Sequence, residues 1–372
     1  MRVIVVGAGV LGTMHAWQAV ERGHEVVHIE REEQARGASV RNFGLVWVSG
    51  RSAGPELDTA LRARELWEGL GARVPALGFR TGGSLTVVRT EAELAVAEAA
   101  AARTDAGARG FELLTAAEAR ALNPALRGDF TAALWCRRDA SVEPRTAQRA
   151  LREALCASGR YTFLGGREVR DVTDRSVRDD HGATHTGDCV VLCTGAWLGG
   201  LVRELVSDAP VRRVRLQMMQ TAPLGEELTT SVADADSFRY YPAYGGAALD
   251  ALNSGQPQPP VAAEHAMQLL MVQRADGGLT IGDTHAYATP FDFDTVEDPY
   301  EHLAEVAERL LGRPLPPVRR RWAGVYAQCV EPGRVVLRHR VDEATVLVTG
   351  PGGRGMTCSP AIAETTADEL GW

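Results

Sequence analysis

The chain opens on RVIVVGAGVLGTMHAWQAVERGHEVVHIE, residues 2–30, and this stretch constrains the fold more than any other. A run of apolar, β-branched residues breaks into Gly7, Gly9 and Gly12, a helical pattern follows, and a second apolar strand ends on Glu30. Each glycine has its own task in such a βαβ unit. Gly7 permits the tight turn, Gly9 lets the backbone approach a pyrophosphate, and Gly12 lets the helix pack closely on the sheet. The helix N-terminus then turns its free N–H groups toward the phosphates. Glu30 comes 18 residues after Gly12, close to the spacing of about 20 at which an acid reaches the ribose hydroxyls. Strand, glycines, helix, strand and acid in this order predict a dinucleotide-binding unit.

At 372 residues the chain exceeds the roughly 250–300 at which a single core stops growing, so two domains are expected. The net charge of -8 speaks against a nucleic-acid surface. No apolar run approaches the roughly 20 residues that span a bilayer, and no secretory leader pattern precedes the first strand. The expectation is a cytoplasmic protein with neither nucleic acid nor membrane as partner. Cys136, Cys156, Cys189, Cys193, Cys329 and Cys358 are scattered without a CxxC pair, which predicts neither a disulfide framework nor a zinc site. His181 and His185 have HxxxH spacing, but HGAT reads as a hairpin turn, so no metal site is predicted. All 40 basic residues are arginines. Without lysine the chain cannot build a pyridoxal Schiff base, a catalytic amine or a P-loop lysine.

Beyond Glu30 a connection, REEQARGASVRNFGLVWVSG, leads to a helical pattern in LDTALRARELWEGLG. Residues 83–90 read as a strand, ELAVAEAAAARTDAG as a helix, and FELLTAAEARALNPAL as holding another that Thr115 can cap. Pro144 opens a further helix, which leads to strands around EVRDVTD and in DCVVLCTG. From Val211 the pattern changes to longer strands, VRLQMMQTAP, SFRYYPAY and MQLLMVQRADGGLTIGDTH, with ADGG as a hairpin signal, and an antiparallel sheet is expected. Residues 245–260 lack periodicity and read as a loop, either a mobile lid or a disordered surface segment. EHLAEVAERLLG reads as an amphipathic helix and RWAGVYAQ as a strand.

Near the C-terminus VLVTG reads as a buried parallel strand, GPGGRG as a tight turn, and Ser359 with Pro360 as the cap and first position of a final helix. The positive end of that helix would suit a group that becomes anionic during turnover, as a reduced flavin does.

In these blocks the chain resembles the D-amino-acid oxidase, glycine oxidase and sarcosine oxidase family of FAD enzymes. GAGVLG with Glu30, GASVRNFG, CVVLCTGAW and GPGGRGMTCSPA carry the resemblance, with RWAGVYA as a weaker fifth. It implies an α/β fold, in which a Rossmann-type FAD-binding domain of glutathione-reductase-like layout is interleaved with an antiparallel-sheet α+β substrate domain. Residues 1–78, 143–211 and 320–372 would form the first and residues 79–142 and 212–319 the second. Carried over by motif, Gly7, Gly9 and Gly12 would contact the FAD pyrophosphate and Glu30 the adenosine ribose. Arg31, Ser39, Arg41, Asn42 and Gly44 would line the ribityl and flavin side, although Arg31 as a surface charge and Asn42 as a turn residue are open alternatives. Val169 would touch the adenine edge, Thr194 and Gly195 would pass near the pyrophosphate, and Gly353, Arg354, Gly355, Met356 and Thr357 would contact the flavin ring.

The resemblance also implies the reaction: hydride leaves the carbon α to nitrogen of a small amine or amino acid, and the imine hydrolyses, with oxygen as acceptor. A dehydrogenase passing electrons elsewhere, or a non-catalytic dinucleotide-binding module, are the alternatives. RNFG is similar to a subgroup often encoded beside phosphonate-utilisation genes, which brings aminophosphonates among the candidate substrates. Two departures stand out. Tyr326 occupies the place where family members that bind a substrate carboxylate often carry arginine. The lysine with which sarcosine oxidases assist oxygen reduction has no counterpart. Cys329 does not align with the cysteine that attaches flavin covalently, so FAD is expected to be dissociable.

Substrate anchoring is expected from Phe238, Arg239, Tyr240, Tyr241 and Tyr244, read as an alternating strand. Period two would turn Arg239 and Tyr241 inward together, and arginine's fork suits a carboxylate or phosphonate. His285 is the third candidate, near the substrate or merely ending a strand. Gln217, Gln220, Trp47, Ser49 and Arg51 are lesser ones.

Overall fold

A computed structural model describes residues 1–173, 175–287 and 289–372. Its first sheet has six strands in the order Leu337–Arg340, Thr345–Thr349, Cys189–Leu192, Arg2–Val6, Glu25–Ile29 and Tyr161–Leu164. All neighbours run parallel except Leu337–Arg340, which is antiparallel to Thr345–Thr349. Parallel strands covered on both faces must be apolar throughout, and here successive residues divide between two cores. Val3 and Val5 pack under the helices Val10–Glu21, Pro55–Arg73, Pro144–Cys156 and Gly355–Glu369. Ile4 and Val6 pack instead on Val169, Val172 and Val177 of a three-stranded antiparallel sheet on the other face. No helix among the described residues is long and apolar enough to cross a membrane.

The second sheet has eight strands and draws on both remaining segments. Its order is Val318–Cys329, Val211–Pro223, Gly278–Gly282, Leu270–Gln273, Ser231–Ala233, Ser84–Val88, Ala132–Cys136 and Phe111–Thr115. Every pairing is antiparallel except Ser231–Ala233 with Ser84–Val88. Leu303, Ala307 and Leu311 of helix Asp298–Leu311 cover one face. The other face packs Met218, Leu270 and Val272 against Phe43, Trp47, Phe238 and Tyr241, where it meets the first unit.

Thr115 and Thr90 both start helices through reciprocal bonds with Glu118 and Glu93, the capping box that the sequence encodes. Four local expectations are corrected. Strand Val318–Cys329 pairs along its length with Val211–Pro223, so the chain returns to the nucleotide unit after Cys329 and not at residue 320. SFRYYPAY is not a strand: Ser237–Tyr240 is one helical turn and Pro242–Tyr244 a 3-10 turn. The buried aromatics Phe238, Tyr241 and Tyr244 are spaced by three, a helical and not an alternating period. Within 245–260 the segment Ala247–Gly255 is helical and buries Leu252 against the second core. The final helix begins at Gly355, with Pro360 inside it. Proline brings no N–H to the Met356 carbonyl one turn earlier, and the Trp67 indole donates there instead at 2.9 Å.

Candidate active site

The glycine loop is built to be tight. Gly7 has φ +98°, and a Cβ on it would lie 2.3 Å from the Cys193 carbonyl oxygen. A Cβ on Gly12 would lie 1.8 Å from the Gly7 carbonyl oxygen, so the helix can approach the loop only as glycine. That carbonyl also accepts a 3.0 Å bond from His28 Nε2, while Tyr161 donates to His28 Nδ1 at 2.8 Å. The ring is thereby fixed in its Nε2–H form. Burial lowers the pKa of His28 to about 4, and the imidazole works here as a neutral strut. Two loop donors already have acceptors: Val10 N–H donates to Ser39 Oγ at 2.8 Å and Ala8 N–H to Glu30 Oε2 at 2.6 Å.

The C-terminal turn meets this loop across the sheet edge. Gly350 and Gly352 take positive φ, Gly352–Arg354 makes one 3-10 turn, and the last helix starts directly behind it. Thr349 Oγ1 donates to the Gly195 carbonyl at 2.9 Å, tying the 193–195 loop to the same edge. The Thr194 hydroxyl beside it is buried without a hydrogen-bond partner among the described residues. Thr357 Oγ1 accepts from Trp47 N–H at 2.9 Å.

One cavity of about 1100 Å³ spans these parts. That exceeds the roughly 300–1,000 Å³ typical of small-molecule sites, enough for a dinucleotide with a small substrate beside it. Gly7, Gly9, Glu30, Val169, Thr194 and Gly195 line it, as do Arg31, Ser39, Arg41 and Asn42, and Gly353 to Thr357. Gly12 and Gly44 stand behind the lining. At Gly44, with φ +71°, a Cβ would strike the Val142 carbonyl oxygen at 2.1 Å. Arg31 stacks over Trp197 at 4.3 Å. The Asn42 amide donates to the Ala38 carbonyl and its oxygen accepts from Gly44 N–H, which makes Asn42 a turn-former as well as a lining residue.

Beyond the turn the cavity continues under the eight-stranded sheet, where Trp47, Arg51, Tyr240, Tyr241, Tyr326 and His285 line it. The Tyr240 and Tyr326 hydroxyls both lie 3.8 Å from the point a Cβ on Gly353 would occupy. The two phenols therefore converge on the turn, and burial raises the pKa of both. Arg51 is buried, donates to the Trp47 carbonyl at 2.8 Å and sits 3.7 Å from Glu56, which also faces Arg354 at 3.5 Å. Two guanidinium groups thus share one carboxylate. Asp139 stabilises the segment between Trp47 and Arg51, accepting from Val48 N–H at 2.6 Å, Ser49 N–H at 3.0 Å, and the Ser49 and Ser84 hydroxyls.

The expected anchor Arg239 is otherwise engaged. It borders the cavity, but its guanidinium bonds Asp236, the Asn253 side chain and the Gln256 carbonyl. On a helical turn Arg239 and Tyr241 do not share a side, so the alternation argument fails. Of the lesser candidates, Gln217 bonds Val296, Gln220 bonds Asp276 and Ser49 bonds Asp139, none of them lining the cavity. No sequence pattern marks Asp283, which also lines the cavity two residues before His285, just past the strand Gly278–Gly282. His285 stacks on Tyr240 at 4.2 Å.

A family model described as "DAO: FAD dependent oxidoreductase" matches residues 2–369. The chain belongs to the DAO family of FAD-dependent oxidoreductases. Its match with a D-amino-acid oxidase of Streptomyces coelicolor is 34% identical over 271 residues, covering 70% of this chain and 74% of that protein. In two other curated relatives the match covers only 30% and 56% of their length. Among solved structures, glycine oxidase from Geobacillus kaustophilus superposes with a TM-score of 0.79 at 20% identity, covering 100% of this chain and 95% of that one. L-proline dehydrogenase from P. horikoshii gives 0.79 at 20% identity over 99% and 92%. The cofactor of this DAO-family chain is FAD, and the residues present fit it: a glycine cradle, a helix N-terminus and a buried, unpartnered Thr194 hydroxyl open on one long cavity.

Proposed function

We propose that this chain oxidises a small amine or amino acid carrying an acidic group, releasing an imine that water hydrolyses, with oxygen as electron acceptor. One observation supports the reading above all: a single cavity joins the glycine loop, the C-terminal turn and a buried chamber of phenols and arginine. Bound FAD supplies the hydride acceptor. The protein's work is to grip and to orient. Gly7, Gly9 and the N-terminus of helix Val10–Glu21 would hold the pyrophosphate, Glu30 the ribose, and residues 353–357 the ring.

Arg51 takes the anchoring role first expected of Arg239. It is buried, faces Tyr241 with 5.8 Å from guanidinium carbon to ring centroid, and is only half compensated by Glu56. Arg51, Arg354 and Glu56 together carry one surplus positive charge, which supplies near the ring what a lysine would have supplied. The relative named a D-amino-acid oxidase supports amino acids as a substrate class.

FAD is held without a covalent bond. Cys329, tied by its backbone to Gly350, does not line the cavity, and Cys193 lies at the phosphate end. All six cysteines are free thiols, in keeping with the cytoplasm. Anaerobic mixing of the yellow protein with small amines, N-methyl amino acids and aminophosphonates tests the proposal. Bleaching by at least one of them is expected, and no bleaching across the panel would overturn it. Peroxide release on admitting air separates oxidase from dehydrogenase.

A further inference from the structure

Asp283 follows the strand Gly278–Gly282, lines the cavity and is 6% exposed. Its Oδ1 has no hydrogen-bond partner among the described residues. A buried carboxylate oxygen left unpaired is costly, and such groups are otherwise matched by a donor or a cation. Within the chain the Gln268 side chain neighbours the carboxyl but leaves Oδ1 unmatched, and His285 does not serve either. His285 Nε2 stands 3.8 Å from Asp283 Oδ2, beyond hydrogen-bonding distance, and His285 Nδ1 is 2.9 Å from the Ala266 carbonyl, to which it gives its proton.

Around this charge the cavity wall is aromatic. Tyr240, Tyr241, Tyr287 and Tyr326 all line it, with Tyr240 and Tyr241 packed edge to face at 4.9 Å. Ring faces attract a cation most strongly where water is excluded. Ring faces offer nothing to an anion, which would have to bond the phenol O–H groups instead, and the buried arginine that could receive one lies on the Tyr241 side.

We propose that Asp283 and the surrounding phenol rings form an ammonium site, in which the carboxylate holds the substrate's protonated nitrogen and then takes its proton. One N–H bond breaks, one O–H bond forms on Asp283, and the electron pair stays on nitrogen. The neutral amine so produced is the form from which hydride can leave the adjacent carbon. Burial holds the Asp283 carboxyl above its ordinary range, which makes it the stronger proton acceptor. The charged and titratable groups that face it are His285, Tyr240, Tyr241, Tyr287 and Tyr326, with Arg51 beyond them.

The inference deepens the amine reading and rests on it, so the test separates the two. Tetramethylammonium, a cation with no N–H proton to give up, is titrated into the FAD-loaded protein and followed by the flavin absorption spectrum, with acetate as the anionic counterpart. Wild type is expected to bind tetramethylammonium, and Asp283→Asn to bind it at least about tenfold more weakly with FAD content unchanged. Tyr287→Leu, at the exposed rim, is expected to lose about threefold and covers the case in which Asp283→Asn does not fold. With whichever amine bleaches the flavin, the acidic limb of the pH profile for flavin reduction is expected to lie at higher pH in Asp283→Asn than in wild type, because only amine that has already lost its proton then reacts. Equal tetramethylammonium binding in wild type and both variants would overturn the site while leaving amine oxidation standing. Asp283-dependent binding without any amine that bleaches the flavin would overturn the function and leave the site.

Discussion

Individual residues decide the chemistry here, and three of them give direct tests. Arg239 is committed to Asp236, Asn253 and Gln256. Arg239→Ala is expected to lower the melting temperature while leaving KM within about twofold, because an engaged guanidinium has little to offer a substrate. Arg51→Ala is expected to raise KM for an acid-bearing amine about thirtyfold or more, the cost of removing one partner of a buried charge pair. A KM unchanged in Arg51→Ala would remove that residue from the site. His15 and His28 are buried, and burial lowers the pKa of each to about 4 from an ordinary 6.5. As pH falls below 6.5 the unfolded chain takes up these protons first, so stability is lost progressively down to pH 4, by about 3 kcal/mol for each ring. Denaturation midpoints between pH 7 and 4 should show that slope, and His28→Gln should flatten it. None of this was legible in the sequence, where both histidines are unremarkable members of apolar runs.

Secondary elements were far more legible, for reasons that differ along the chain. The βαβ unit declares itself because every glycine answers to a contact: a Cβ on Gly12 would overlap the Gly7 carbonyl at 1.8 Å. Gly12→Ala should therefore push the helix off the loop and yield colourless protein, and retention of FAD would contradict that packing. The strands 211–223, 270–273, 278–282 and 318–329 were visible through alternation and the ADGG turn. The aromatic run at 238–244 reads as a strand because Tyr and Phe favour strands, whereas burial at every third position belongs to a turn. Asp283 escaped notice because a single carboxylate carries no pattern; only the cavity around it gives it meaning. Asp139 is similar. It accepts four hydrogen bonds that fix the segment between Trp47 and Arg51, and Asp139→Ala should cost about 3 kcal/mol or more by stranding those donors, as measured by chemical denaturation.

At the scale of the whole molecule, two sheets meet along the walls of one cavity, and the ligand that fills it should stabilise both. At a free FAD concentration of about a thousandfold over Kd, linkage contributes roughly 4 kcal/mol. Stripping FAD with chaotropic salt should lower the melting temperature by several degrees, and adding it back should restore both temperature and colour. Failure to strip it without proteolysis would point to a covalent link. The cavity wall takes Gly7 and Gly9 from the first strand-helix turn and residues 352–357 from the last. More than three hundred residues of synthesis separate those two groups. No nascent polypeptide can therefore close its grip on the prosthetic group before residue 357 emerges, and coloration must follow that point of synthesis.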